Sequence, residues 1–134
     1  MRFGIQTGPQ NVTWPELLDI WQLVDGLKFD TAWTFDHFFP IFTDLKGSQL
    51  ECWTTLTALA MKTQHVSVGT LVTGTTYREP AVPAKLGATT AVFTGGPPET
   101  GRGPDWCQLD HQALGSPVHT RGARTNRARA ASDG

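Results

Sequence analysis

Trp33-Thr34-Phe35-Asp36-His37-Phe38-Phe39-Pro40 runs from strand-forming residues into an acid and an imidazole, and Phe38-Phe39-Pro40 breaks the pattern straight after. This order puts Asp36 and His37 at the carboxyl end of a buried strand. In parallel α/β folds ligands bind at that end, because the loops there lie over a rigid sheet. An unperturbed imidazole titrates near pH 6.5, so His37 is a candidate general acid or base. Asp36 is a candidate for fixing an imidazole tautomer or for hydrogen-bonding a ligand. A plainer reading fits the same two residues: Asp36 caps the turn and His37 packs against Phe38 and Phe39. Adjacency in sequence does not by itself make a catalytic pair.

Other chemistries find less support. His37, His65, His111 and His119 show neither i, i+4 helical spacing nor a carboxylate in metal register. His65 falls at the opposite end of the sheet from His37, so no metal site is expected. No Gly-x-Gly-x-x-Gly follows a strand and opens a helix, which removes dinucleotide binding through a glycine loop.

The elements that must position Asp36 and His37 read clearly up to about Gly96. Arg2 to Thr7 is a short first strand, with Phe3 and Ile5 on one face. Thr13-Trp14-Pro15-Glu16 is a capping box, and Pro15 is tolerable in a first turn whose amides have no helical partner. Trp14, Leu17, Leu18, Trp21 and Val24 then repeat at helical spacing, and Gly26 is the expected left-handed stop. A second strand covers about 31–35. A second capping box, Ser48-Gln49-Leu50-Glu51, is expected to open a helix with Cys52, Trp53, Leu56, Leu59, Ala60 and Thr63 facing inward. Residues 66–72 form a third strand nearly continuous in apolar and β-branched residues, and a third helix covers 81–92. Strand and helix alternating three times at short spacing predict right-handed βαβ units and a parallel sheet.

The totals set bounds on function. The chain has 134 residues, 39% of them hydrophobic and 17% charged, with a net charge of −1. That balance fits a globular domain and gives no electrostatic footprint for nucleic acid. No apolar run approaches the ~18 residues of a membrane span, and the first residues are too polar for a signal peptide. Cys52 and Cys107 stand far apart without paired neighbours, which predicts reduced thiols and a cytoplasmic protein.

Beyond Gly96 the pattern weakens. Residues 97–134 hold only Trp106, Leu109, Leu114 and Val118 as large apolar side chains, and their five basic residues are all arginine. The prolines of the 97–104 segment exclude a central strand, since each removes a ladder donor. The last stretch has no apolar face to bury and is expected to be disordered. The expected division is therefore a partial barrel domain over 1–96 and a degraded continuation over 97–134.

Phe3-Gly4-Ile5-Gln6-Thr7, Ala32 to Phe38, Gly69 to Val82 and Ala84-Lys85 together resemble the luciferase-like monooxygenase family, most of all its members that use the deazaflavin coenzyme F-420. The resemblance runs to about Thr90 and resumes weakly at Gly95-Gly96, Trp106, His111 to Gly115 and Pro117. It implies an α/β fold, the N-terminal portion of a (β/α)8 TIM barrel, with about three βα units and a degraded fourth strand. It implies F-420 or FMN as cofactor and a small-molecule substrate. It places Asp36 and His37 beside the reacting centre and Gln6, Leu71, Val72, Thr73 and Trp106 near the cofactor ring. It also implies a non-proline cis peptide within Leu71-Val72-Thr73-Gly74.

The departures from the family pattern carry their own expectations. Pro83 stands inside the third helix, and the fourth strand has lost its apolar residues while the Gly96-to-Trp106 spacing persists. A barrel gene cut short by a lesion or frameshift would look this way. Such a chain would be poorly stable, bind cofactor weakly and not turn over. The alternative is a non-catalytic half-barrel that self-associates through its open edge.

Overall fold

A computed structural model describes residues 1–103 and 107–115, together with 122 and 126. Strands and helices alternate: β1 (Gly4–Gln6), α1 (Trp14–Gly26), β2 (Thr31–Thr34), α2 (Cys52–Ala60), β3 (Ser67–Gly74), α3 (Ala81–Thr94), β4 (Glu99–Gly103) and α4 (Gln108–Ala113). Among the described residues the strands form one sheet in the order β1-β2-β3-β4, and all three pairings are parallel. This is a partial (β/α)8 barrel. Of the continuation expected over 97–134, residues 104–106 and those beyond 115 lie outside the described residues, save for 122 and 126.

The pairing register assigns each strand residue to a face. Ile5, Ala32 and Val68 lie side by side, as do Gln6, Trp33, Gly69 and Glu99. The first row meets the helices. Leu17, Trp21 and Val24 of α1 and Trp53, Leu56, Leu59 and Ala60 of α2 close over Ala32, Val66 and Val68 in one core. These are the stripes expected from helical spacing, and burying each large side chain contributes about 1.5–3 kcal/mol. The Trp21 indole also donates to Thr7 Oγ1 at 2.8 Å, which ties α1 to the end of β1.

The second row lines the concave face. Trp33 packs against Gly69, where an added Cβ would stand 2.6 Å from its ring, so only glycine fits. Arg2 Nη2 meets Glu99 Oε1 at 3.0 Å, bridging the strand ends of β1 and β4.

Three local expectations need correction. The α1 helix ends at Gly26 with Leu27 in a right-handed cap, and Lys28 takes the positive φ of 61°. Glu51 itself caps α2, accepting from the amides of Thr54 at 2.7 Å and Trp53 at 3.2 Å, so Ser48 opens no capping box. Pro83 sits in the first turn of α3, where its missing amide leaves no hydrogen bond unmade. The degraded fourth strand expected in 97–104 is present, at the edge of the described sheet. It runs from Glu99 to Gly103, past Pro97 and Pro98, and pairs with β3.

Asp25 ties the end of α1 to the start of β3. Its carboxylate accepts from the amides of Gln64, His65 and Val66 at 3.1, 2.7 and 2.8 Å. Partial burial opposes its charge, but the three amides and Lys28 outweigh it and hold the pKa below the ordinary 3.8. A carboxylate depressed in the folded state stabilises the fold above its unfolded pKa, and that stabilisation is lost as pH falls through the folded value. Denaturant melts should therefore show Asp25→Ala costing about 2 kcal/mol at pH 7, with the gap from the parent chain closing below about pH 4. An undiminished gap at pH 2 would contradict this role.

Candidate active site

The carboxyl ends of the strands are joined by one buried ion pair. Asp36, only 2% exposed, follows β2. Its Oδ2 accepts from Arg78 Nε and its Oδ1 from Arg78 Nη2, both at 2.7 Å, and Oδ2 also accepts from the amide of Gly74 at 3.2 Å. Arg78 Nη2 reaches on to Glu51 Oε1 at 2.7 Å, so the cap of α2 joins the cluster. The Tyr77 hydroxyl donates to the Asp36 carbonyl. Burial works against the Arg78 charge, yet the bonds and charges of Asp36 and Glu51 raise its pKa above the ordinary guanidinium value. Glu51 is held below the ordinary carboxylate value despite its own burial, by the Thr54 and Trp53 amides and by Arg78. Nearby Cys52 is pushed the other way by burial and the two carboxylates, well above the usual thiol, and is unreactive.

His37 takes its partner from the far end of the described chain. Asp110, on α4 and fully buried, places Oδ2 2.7 Å from His37 Nδ1. The other oxygen, Oδ1, accepts from the amides of Phe38 at 3.0 Å and Phe39 at 3.1 Å. One carboxylate thereby fixes the whole turn after β2. Phe35 meets the His37 ring edge-on with centroids 5.5 Å apart. The imidazole partner is thus Asp110 rather than the adjacent Asp36.

Above these groups lies a cavity of about 280 Å³, lined among others by Gln6, His37, Phe42, Leu71, Val72 and Tyr77. The Leu71–Val72 peptide is cis, at the place the family resemblance indicated. Both side chains are substantially exposed, at 46% and 37%, and give the cavity an apolar wall. Gln6 Nε2 donates to the Leu71 carbonyl at 2.9 Å, fastening β1 to that wall. A second hollow of about 450 Å³ shares Gln6, Phe35 and Phe42 and extends past Gln10 and Asn11.

The structure therefore brings Gln6, His37, Leu71 and Val72 together around one cavity, with Asp36 lining its base. Thr73 does not join them. It is fully buried, with its hydroxyl 2.8 Å from that of Thr70. Trp106 lies outside the described residues. Sequence reasoning missed Asp110, Arg78, Tyr77 and Cys107. Arg78 and Tyr77 stood within the resembling segment, and Asp110 immediately precedes its resumption at His111, but no local pattern marks their partners.

A family model described as luciferase-like monooxygenase matches residues 1–127. The chain belongs to this family. Among solved structures, an F-420-dependent secondary alcohol dehydrogenase in complex with an F-420–acetone adduct superposes with a TM-score of 0.88 at 20% identity, over 98% of this chain and 40% of that one. The coenzyme F-420 dependent tetrahydromethanopterin reductase from Methanopyrus kandleri superposes at 0.71 with 23% identity, over 87% of this chain and 30% of that one. The oxygenating constituent of 3,6-diketocamphane monooxygenase from Pseudomonas putida, in complex with FMN, superposes at 0.78 with 12% identity, over 99% and 38%. At these identities the likeness is one of fold. The chain spans between 30% and 40% of the length of these three solved chains.

Removing one partner of a buried pair leaves an uncompensated charge. Arg78→Ala should accordingly cost about 3–5 kcal/mol in chemical denaturation. Arg78→Lys should recover only part of it, because an ammonium cannot offer the bidentate fork. A loss below about 1 kcal/mol for the alanine variant would show that Asp36 does not depend on this partner.

Proposed function

We propose that the chain carries the ring-binding part of a flavin- or deazaflavin-dependent oxidoreductase, taking FMN or F-420 and acting on a small organic substrate. The observation that carries this reading is the buried His37–Asp110 pair beside a cavity whose wall is the exposed Leu71–Val72 step. The residues fit such a group: an apolar wall for a flat ring, an amide at its edge, and an imidazole within the same hollow. A bound flavin or deazaflavin supplies hydride or oxygen chemistry that no amino-acid side chain provides.

The chain's own residues divide the remaining work. Leu71 and Val72 bury the ring face, and Gln6 braces them from β1. The Asp110 carboxylate, already accepting two amides, accepts the Nδ1 proton of His37 as well. That fixes the tautomer and leaves Nε2 as the nitrogen that exchanges a proton with substrate. To Asp36 we assign the anchoring of this turn through Arg78, with both oxygens already engaged. The phosphate end of the cofactor is left to segments outside these four βα units, since barrels commonly anchor it on loops after late strands.

Fluorescence titration of the purified chain with F-420 and with FMN tests the reading. Saturable but weak binding of one ring is expected, abolished by Val72→Glu and retained in Asp110→Asn. No saturable binding of either by a folded chain would end the proposal. In Asp110→Asn, nitrogen-15 NMR should show the His37 ring populating both neutral tautomers. An unchanged tautomer would remove Asp110 from its orienting role.

The outer edges of β1 and β4 carry no partner strand among the described residues. That favours a second reading, self-association through those edges. Light scattering on the purified chain decides it: a defined dimer supports the second reading and a monomer removes it.

A further inference from the structure

We propose that His37, Cys107 and Asp110 form a binding site for a zinc ion at the back of the cavity. His37 follows β2, whereas Cys107 is the cap residue of α4 and Asp110 lies in its first turn. The fold gathers them so that one ligand atom from each lies within 4.8 Å of the others. Ligands of a tetrahedral zinc, at bond lengths of about 2.0–2.3 Å, stand roughly 3.3–3.8 Å apart. To reach that arrangement, Nδ1 and Oδ2 part from 2.7 Å and the sulfur closes in from within 4.8 Å.

The donor chemistry selects the ion. A thiolate, an imidazole and a carboxylate suit zinc, while magnesium and calcium require oxygen ligands in larger number. Asp110 is oriented for the purpose. Its Oδ1 is held by the amides of Phe38 and Phe39, which aims Oδ2 at His37 Nδ1 2.7 Å away. Outer hydrogen bonds of this kind position the carboxylates of metal sites. Asp110 is fully buried, Cys107 is 8% exposed and the His37 side chain 12% exposed, so the ion would be largely shielded from water. Three protein ligands leave the fourth zinc position open to water or a small ligand.

The proton balance is explicit. The ion enters between Nδ1 and Oδ2. The Cys107 thiol loses its proton to solvent, and the proton of a neutral His37 moves from Nδ1 to Nε2. His37 then holds a proton at Nε2 that it cannot exchange as a base, so zinc and the proposed proton transfer exclude one another. This consequence rests on the proposed function, whereas the binding itself does not.

Cobalt(II) serves as the probe, added to the purified full chain. The expected result is one cobalt per chain, with a thiolate-to-cobalt charge-transfer band and visible tetrahedral bands, all displaced by zinc. Cys107→Ser should remove the charge-transfer band and weaken zinc binding at least about tenfold, the loss that even an outer-sphere partner brings. Cys52→Ser should leave the band intact. Absence of the band in the unaltered chain at saturating cobalt overturns the proposal, whether or not the variants fold. So does a band that survives Cys107→Ser and disappears in Cys52→Ser. A chain that binds neither F-420 nor FMN yet gives the Cys107-dependent band separates failure of the cofactor reading from failure of this one.

Discussion

The Asp36–Arg78 pair is the contact on which the upper face of this sheet depends. A carboxylate 2% exposed at the end of a central strand is tolerable only with a counter-charge and hydrogen bonds of good geometry. Arg78 provides both, with two 2.7 Å bonds, and its remaining reach secures Glu51 at the cap of α2. Three separate elements are thereby locked at one point: the end of β2, the turn after β3 and the start of α2. A well-packed apolar cluster could contribute as much stability. The ion pair adds direction, because the bidentate fork fixes the angle at which the chain leaves β2 and hence where His37 begins.

Asp110 completes that geometry from the opposite side. Its two oxygens divide between the backbone of Phe38 and Phe39 and the side chain of His37. The turn after β2 is thus held from below by Arg78 through Asp36 and from the side by α4. The cavity wall is supplied independently, by the cis Leu71–Val72 step and the Gln6 amide that grips it. In the proposed reading, proton handling and the surface for a flat ring therefore sit on different strands. A change in one need not disturb the other, although both require β3 and β4 to remain paired.

Legibility in the sequence followed the range of the interaction. The helical stripes of α1 and α2 were readable because each repeats within a dozen residues and answers to a single core. Glu16 closing on Thr13 at the start of α1, at 2.8 Å to its amide, was readable for the same reason. Cap assignments failed where tertiary contacts shifted an end by a residue or more, as at Gly26 and Ser48. The fourth strand was legible as a degraded one that is not central, and it stands at the edge of the described sheet. Pro97 and Pro98 precede Glu99, so the ladder between Glu99 and Gly103 keeps its donors.

The sequence by itself determined the βα alternation, the placement of Asp36 and His37 at the carboxyl end of β2, and a match to one family over most of the chain. Periodicity and local capping are enough for that, since they involve neighbours only. Tertiary structure alone decided the partners of those two residues. It paired Asp36 with a guanidinium 42 residues away and His37 with a carboxylate 73 residues away. Nothing in the spacing of single residues encodes which charges meet across a sheet. That depends on the curl of the strands and on a helix returning over the turn, both of which exist only once the chain has folded.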